Sequence, residues 1–235
     1  MELQDFSPHL LVAQLAFKEP SAAVVDQRGA WITTFRNDFG ATEFVAEAAA
    51  VEAFSDDRRE QYRVGTAQVV GSIENFDEIT EAGQKLGRFV ELALDRVERP
   101  QIAQVRVRTF ELAATDSFAE LRDALGEALG APRGELAEVV GGPMSDLGWV
   151  LEFTDANPNV TLRFGPMRAS QIKTFLRDQR DSQYPGEFLF LDVDYVQADE
   201  DLDPEQAVAR LASSIESNRR LVHRVANWIT GKLAP

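Results

Sequence analysis

Glu187-Phe-Leu-Phe-Leu-Asp-Val-Asp-Tyr-Val-Gln197, an acidic turn, and then a periodic segment from Pro204 to Leu233 form the stretch whose reading decides the fold. The first part is a run of aromatic and branched apolar residues interrupted by two acids, which reads as a buried strand. Asp203-Pro204, with Gln206 two residues on, places an acid at a helix cap and proline at the first helical position. Val208, Leu211, Ala212, Ile215, Val222, Val225 and Ile229 recur at helical spacing and form one apolar face. That helix is about 30 residues long and so spans about 45 Å. The strand and helix together read as the spine of the core.

Upstream of the spine, Leu147–Thr154 and Val160–Pro166 flank Asp155-Ala-Asn-Pro-Asn159, a hairpin with asparagine and proline supplying the turn. Ser170–Asp181 reads as a short helix burying Ile172, Phe175 and Leu176, and Tyr184-Pro-Gly186 turns the chain into the spine strand. In Ile102–Leu112, Val105 and Val107 alternate with Arg106 and Arg108, the pattern of a half-buried strand. Ser117-Phe-Ala-Glu120 is a capping box that opens a helix with Phe118, Leu121, Leu125 and Leu129 inward, and a further helical turn lies at Leu136–Val140.

The first half follows a similar order. Leu10–Phe17 reads as a strand, and a helix then runs from Pro20-Ser21 to Gly40 with Val25, Ile32, Phe35 and Phe39 on its apolar side. Glu43–Phe54 and Gln61–Ile73 are read as the two arms of a hairpin about Ser55-Asp-Asp-Arg-Arg59, although the alanines of Ala46–Ala50 favour helix by propensity. Asp77 is placed to cap a helix whose stripe is Ile79, Ala82, Leu86, Val90, Ala93, Leu94 and Val97.

Strand, helix, hairpin and closing helix thus occur twice, in modules 8–98 and 102–233. Glu98-Arg-Pro-Gln101 is too short a link for independent domains, so residues 1–235 are read as one domain. The class is α+β: two similarly planned β-α-β-β-α modules, a mainly antiparallel sheet, helices on one face and a long C-terminal helix. Leu-Leu-Val-Ala-Gln-Leu-Ala-Phe17, Val-Arg-Val-Arg-Thr-Phe110 and Phe-Leu-Asp-Val-Asp-Tyr195 with its long helix carry a resemblance. In these elements the chain resembles a sporadically distributed family of uncharacterised bacterial proteins. Thr109 after Arg108 departs from that family's arginine-tyrosine pair. The resemblance implies the fold over most of the chain and no activity.

Composition removes several chemistries. The 235 residues contain no cysteine and two histidines, His9 and His223, which excludes disulfides, thiol catalysis and a three-histidine zinc site. A net charge of -15 disfavours binding to nucleic-acid phosphates and suits a basic partner. No apolar run reaches the length of a membrane span, and Met-Glu-Leu-Gln-Asp5 has none of the features of a signal peptide, so a cytoplasmic protein is expected.

Asp192 and Asp194, two apart on a strand, share a face about 7 Å apart and are the candidate ligands for a divalent cation with substrate phosphates. The competing reading pairs them with Arg106 and Arg108 on a neighbouring strand. Gly141-Gly-Pro-Met-Ser145 has neither the glycine spacing nor the lysine of a phosphate loop. Arg219, Arg220, His223 and Arg224 form a basic cluster, a candidate contact for an anion or a partner; the plainer reading is a solvated helix face. Asp192 or Asp194 is the expected orienting acid if His223 serves as a base, whereas His9 is expected to be exposed. Trp31, Trp149 and Trp228 are expected in packing, with Trp228 available to a partner surface.

These features point to a non-enzymatic bacterial interaction or accessory protein, of a defence- or immunity-associated kind, that binds another protein and needs no cofactor. The alternatives are a metal-dependent phosphoester or nucleotide-handling enzyme using Asp192 and Asp194, and a self-assembling homo-oligomer.

Overall fold

A strand whose inward positions are Leu11, Ala13 and Leu15 must find an apolar layer on one side and strand partners on both edges. In a computed structural model of the chain, which describes residues 3–98, 100–131, 133–142, 144–172, 174–177, 184 and 186–233, that strand lies at the middle of a nine-stranded sheet. The strands are β1 Ser7–Phe17, β2 Glu43–Ala46, β3 Ala50–Phe54, β4 Glu60–Gly65, β5 Gln68–Glu74, β6 Ile102–Thr115, β7 Trp149–Phe153, β8 Asn159–Arg168 and β9 Glu187–Leu202. The helices are α1 Ala23–Asp26, α2 Arg28–Phe39, α3 Ile79–Arg96, α4 Phe118–Ala128, α5 Arg133–Val140, α6 Ala169–Ile172 and α7 Pro204–Leu233.

The sheet order is β2-β3-β4-β5-β1-β6-β9-β8-β7, and every neighbouring pair is antiparallel. In each half the first strand pairs with the last, β1 with β5 and β6 with β9, and the remaining strands step outward to the edge. β1 and β6 join the halves back to back. The long helices α3 and α7, each following the last strand of its half, pack on each other over the same face of the sheet. The architecture is the expected α+β arrangement, and among the described residues no helix is long and apolar enough to cross a membrane.

Several elements differ from the sequence reading. The two expected hairpin arms of the first half are each folded again, into β2–β3 and β4–β5. Glu47 N–H closes the first turn on Ala50 O at 2.9 Å, and pairing on both sides of β3 overrides the helical propensity of its alanines. The helix expected over 20–40 breaks at Gln27, which sits at φ -105°, ψ 19°. This break shifts the helical phase, so Val24, Trp31, Phe35 and Phe39 are buried while Val25 is exposed. Gly40 stops the helix in the left-handed region at φ 64°, as expected of a C-terminal glycine. The cap of α3 is Glu78 rather than Asp77, and no side chain caps its first turn. Phe175 is exposed, and the helix expected over 170–181 is the single turn α6. Residues 178–183, Pro143 of the Gly141–Ser145 loop and Pro185 of the turn into the spine strand lie outside the described residues.

The spine is as the sequence predicts and sharper. Asp203 Oδ1 accepts from Gln206 N–H at 2.8 Å while Asp203 N–H donates to Gln206 Oε1 at 3.1 Å, a reciprocal box. Ala207, Leu211, Ser214, Asn218, Val222, Ala226 and Ile229 are the buried stripe of α7; Val208, Ile215 and Val225 flank it, and Ala212 faces solvent. Asn218 is fully buried where α7 crosses two strands. Its Nδ2 donates to Val107 O of β6 and Val193 O of β9 at 3.4 and 3.3 Å, and its Oδ1 accepts from Thr109 at 2.9 Å. These bonds fix the helix along the strands, where apolar contacts alone allow sliding. At the other closing helix, a Cβ on Gly71 would lie 2.6 Å from Leu86 and 3.0 Å from Phe89, so this glycine lets α3 settle on β5.

The helix-covered face carries two apolar clusters, one under α2 and α3, the other under α4 and the second half of α7. A third lies on the opposite face, where Ile172, Leu176 and Tyr184 cover Leu10, Phe110, Leu112, Met167 and Phe188 at one end. Past that cover, the second face is lined with half-buried side chains.

Candidate functional site

The two acids of the spine strand sit on that second face. Alternation along β6 sends Val105, Val107 and Thr109 to the helices and Arg106 and Arg108 away from them. The strand register sets Arg108 opposite Asp194 and Phe110 opposite Asp192, yet the ion pairs run diagonally. Arg106 Nε and Nη2 donate to the two oxygens of Asp194 at 2.7 and 2.6 Å. Arg108 Nε and Nη2 donate to those of Asp192 at 2.7 and 2.9 Å, and Arg163 Nη1 of β8 adds a contact to Asp192 at 3.3 Å. All four carboxylate oxygens therefore accept from guanidinium groups in fork geometry. The lattice continues through Gln14, which accepts from Arg106 and donates to Gln68, and farther along the face Arg177 holds Glu74 and Ser72. A divalent cation at Asp192 and Asp194 has to displace arginine, and no group of three or more His, Asp or Glu is placed to hold a metal among the described residues.

The basic cluster of α7 divides. Arg219 and His223 line a cavity of about 760 Å³ between the second half of α7, residues 3–8 and the start of α3. Arg220 pairs with Glu216 at 2.9 Å on the outer side of the helix, and Arg224 is exposed. Asp192 and Asp194 are on the face of the sheet away from α7, so neither orients His223; its Nε2 instead meets Asn227 Nδ2 at 3.2 Å. The acids that do line its cavity are Asp5, Asp77, Glu78 and Glu111, the last on the helix side of β6. Burial pushes the Glu111 carboxyl up to about 7. Its inward phase in the 105-107-109-111 alternation is a signal the sequence contains, since glutamate is rare at a core-facing strand position.

β7 forms one end of the sheet, so among the described residues one edge of its backbone has no strand beside it. Trp149 stacks on Phe164 of β8 at 5.5 Å, and Trp228 of α7 meets the same ring edge-on at 6.2 Å. Outside this anchor Val150 is 61% exposed, Leu151 36%, Phe153 52% and Trp228 45%. Edge strands normally carry lysine, proline or a bulge that blocks further pairing, and β7 has none of these. Of the three tryptophans only Trp31 is fully buried, while Trp228 is open to a partner, as its place beside the apolar stripe suggests.

His9, expected to be exposed, is half-buried at a bulge in β1 and hydrogen-bonded through both ring nitrogens. Of its partners, Ser7 is two residues away in the chain and Asn75 is 66 residues away, so no local spacing marks the second. No family model, curated protein or solved structure gives a match to this chain.

Proposed function

We propose that the protein is an interaction module that takes an extended segment of another protein along β7, as a further strand of the sheet. The observation that carries this reading is the combination of a backbone edge open among the described residues with exposed Leu151 and Phe153 on the face of Trp149 and exposed Val150 on the other. Backbone bonds to the edge supply affinity, and alternate side chains of the added strand read Leu151 and Phe153 on one face and Val150 and Glu152 on the other. The partner segment is apolar with basic residues. Glu152 is the one charge on the strand, and a chain of net charge -15 attracts cations at long range.

A second copy pairing through β7 is the other reading supported by the same edge, opposed by repulsion between two strongly acidic chains. Light scattering separates them: a mass near 26 kDa at micromolar concentration supports a different partner. Affinity capture from a lysate, followed by hydrogen exchange on the purified complex, tests the reading directly. Protection of the β7 amides, and loss of the complex in Val150→Lys/Phe153→Lys, are the expected results. A monomer that captures no stoichiometric protein, or a complex that leaves β7 exchange unchanged, overturns it.

A further inference from the structure

We infer that Ser7, His9 and Asn75 form a nucleophile, base and orienting group that hydrolyse small acyl esters in the pocket at the start of β1. This rests on a different part of the molecule from the β7 reading and stands or falls separately.

The geometry is that of an activated hydroxyl. Ser7 Oγ lies 3.1 Å from His9 Nε2, and His9 Nδ1 lies 2.9 Å from Asn75 Oδ1. Asn75 Oδ1 also accepts from the Tyr184 hydroxyl. An acceptor oxygen at Nδ1 places the ring proton there and leaves the lone pair of Nε2 facing Ser7. The Ser7 hydroxyl has a second acceptor, Leu112 O at 3.2 Å, so its one proton is shared between a carbonyl and the imidazole.

The backbone builds this arrangement. The register of β1 on β6 shifts between Pro8 and Leu10, so His9 is an extra, bulged residue whose side chain is redirected. Asn75 sits in the left-handed region at φ 51°, where its own N–H bonds His9 O at 3.0 Å. Asparagine tolerates that conformation better than other non-glycine residues. The Tyr184 ring meets the imidazole edge-on at 5.4 Å, so the ring is held by Asn75, Tyr184 and Ser7. Burial lowers the His9 pKa, with the Asn75 bond opposing, which keeps the imidazole neutral and basic near pH 7.

A pocket of about 430 Å³ opens beside these groups, lined by Ser7, His9, Asn75 and Tyr184 together with Arg59 and Phe76. Its size limits the substrate to a small ester. Ser7 Oγ adds to the ester carbonyl carbon as its proton passes to His9 Nε2; Arg59, which pairs with Asp57 at 3.6 Å, is the cationic residue of the pocket lining. His9 returns the proton to the leaving alkoxide, giving the alcohol and an acyl-Ser7 ester. Water then adds to that ester with its proton passing to His9 Nε2, the acyl C–Oγ bond breaks as His9 returns that proton to Ser7 Oγ, and the carboxylic acid is released. Ser7 and His9 are the catalytic residues; Asn75 and Tyr184 position the imidazole.

The test uses the full chain. A fluorophosphonate probe is expected to give one adduct, located on Ser7 by peptide mass spectrometry, and p-nitrophenyl acetate is expected to turn over with an initial burst. Ser7→Ala abolishes both, and His9→Ala lowers the rate by about a hundredfold or more. The pH profile of the wild type has its acidic limb below 6.5, the ordinary histidine value. Asn75→Ala moves that limb and lowers kcat with little change in KM, and Asn75→Asp rescues it. Circular dichroism and melting of each variant verify folding; Ser7 is exposed, so its alanine variant retains the structure. No adduct on Ser7 in the folded wild type, or ester hydrolysis equal in Ser7→Ala, overturns the inference.

Discussion

Arg108 and Asp192 are unequal partners, and removing one is expected to cost much more than removing the other. The Asp192 side chain is 0% exposed, whereas those of Arg108 and Arg163 are 29% and 36% exposed. Arg108→Ala leaves a carboxylate out of reach of water with Arg163 Nη1 at 3.3 Å as its remaining guanidinium. A buried charge that loses its partner costs about 3 kcal/mol or more. For a chain of this size each kcal/mol lowers Tm by about 2–4 °C, so the loss approaches about 10 °C. Asp192→Ala leaves two guanidinium groups that rehydrate where they stand, a cost of about 1–2 kcal/mol. Arg108→Leu/Asp192→Leu removes both charges and fills the space, and is expected within about 1 kcal/mol of the wild type. Urea unfolding followed by circular dichroism measures all three. If Arg108→Ala costs less than about 0.5 kcal/mol, the pair behaves as an exposed one and the argument from burial is wrong.

Three further outcomes are expected. Glu111 has its folded pKa raised to about 7 from 4.5, so the folded state binds the extra proton and stability falls as pH rises through that window. The gap corresponds to at most about 3 kcal/mol, reduced by water in the cavity, so Glu111→Gln should be more stable than the wild type by about 1–2 kcal/mol at pH 8 and equal to it at pH 4; equal stability at both would show a solvated carboxyl. Gly71→Ala puts a methyl 2.6 Å from Leu86 and should cost about 1–3 kcal/mol in urea, with no effect meaning that α3 shifts freely on β5. Isothermal titration of the wild type with Mg²⁺ or Mn²⁺ should give no binding heat, because the oxygens of Asp192 and Asp194 are held by arginine; saturable binding lost in Asp192→Asn would restore the metal reading.

The reading of the second half survives in more detail than that of the first. Ser117 and Asp203 cap their helices as the capping residues predict, because caps depend on three or four consecutive residues. In the first half the sequence shows two strands where the structure has β2–β5, because Ala46–Ala50 and Val64–Gln68 contain no strong turn signal, and what folds them is pairing with strands on either side. Val24 and not Val25 is the buried valine because the helix breaks at Gln27, which no proline or glycine marks at that residue. The cross-strand use of Asp192 and Asp194 was one of two legible readings, and strand order chose between them.

Sequence by itself determined the α+β class, the doubled plan, the long C-terminal helix and the absence of thiol chemistry, since periodicity, caps and composition act over a few residues at a time. Tertiary structure alone decided which groups meet. The diagonal pairing of Arg106 and Arg108 with the acids of β9 depends on which strand lies beside which. Glu111 shares a cavity with Arg219 and His223 because α7 crosses β6 at Asn218. His9 meets Asn75 because β1 pairs with β5, and it points there because a bulge turns it. Each of these contacts joins residues far apart in the chain, and the strand order and register that bring them together come from burying both halves under one layer of helices.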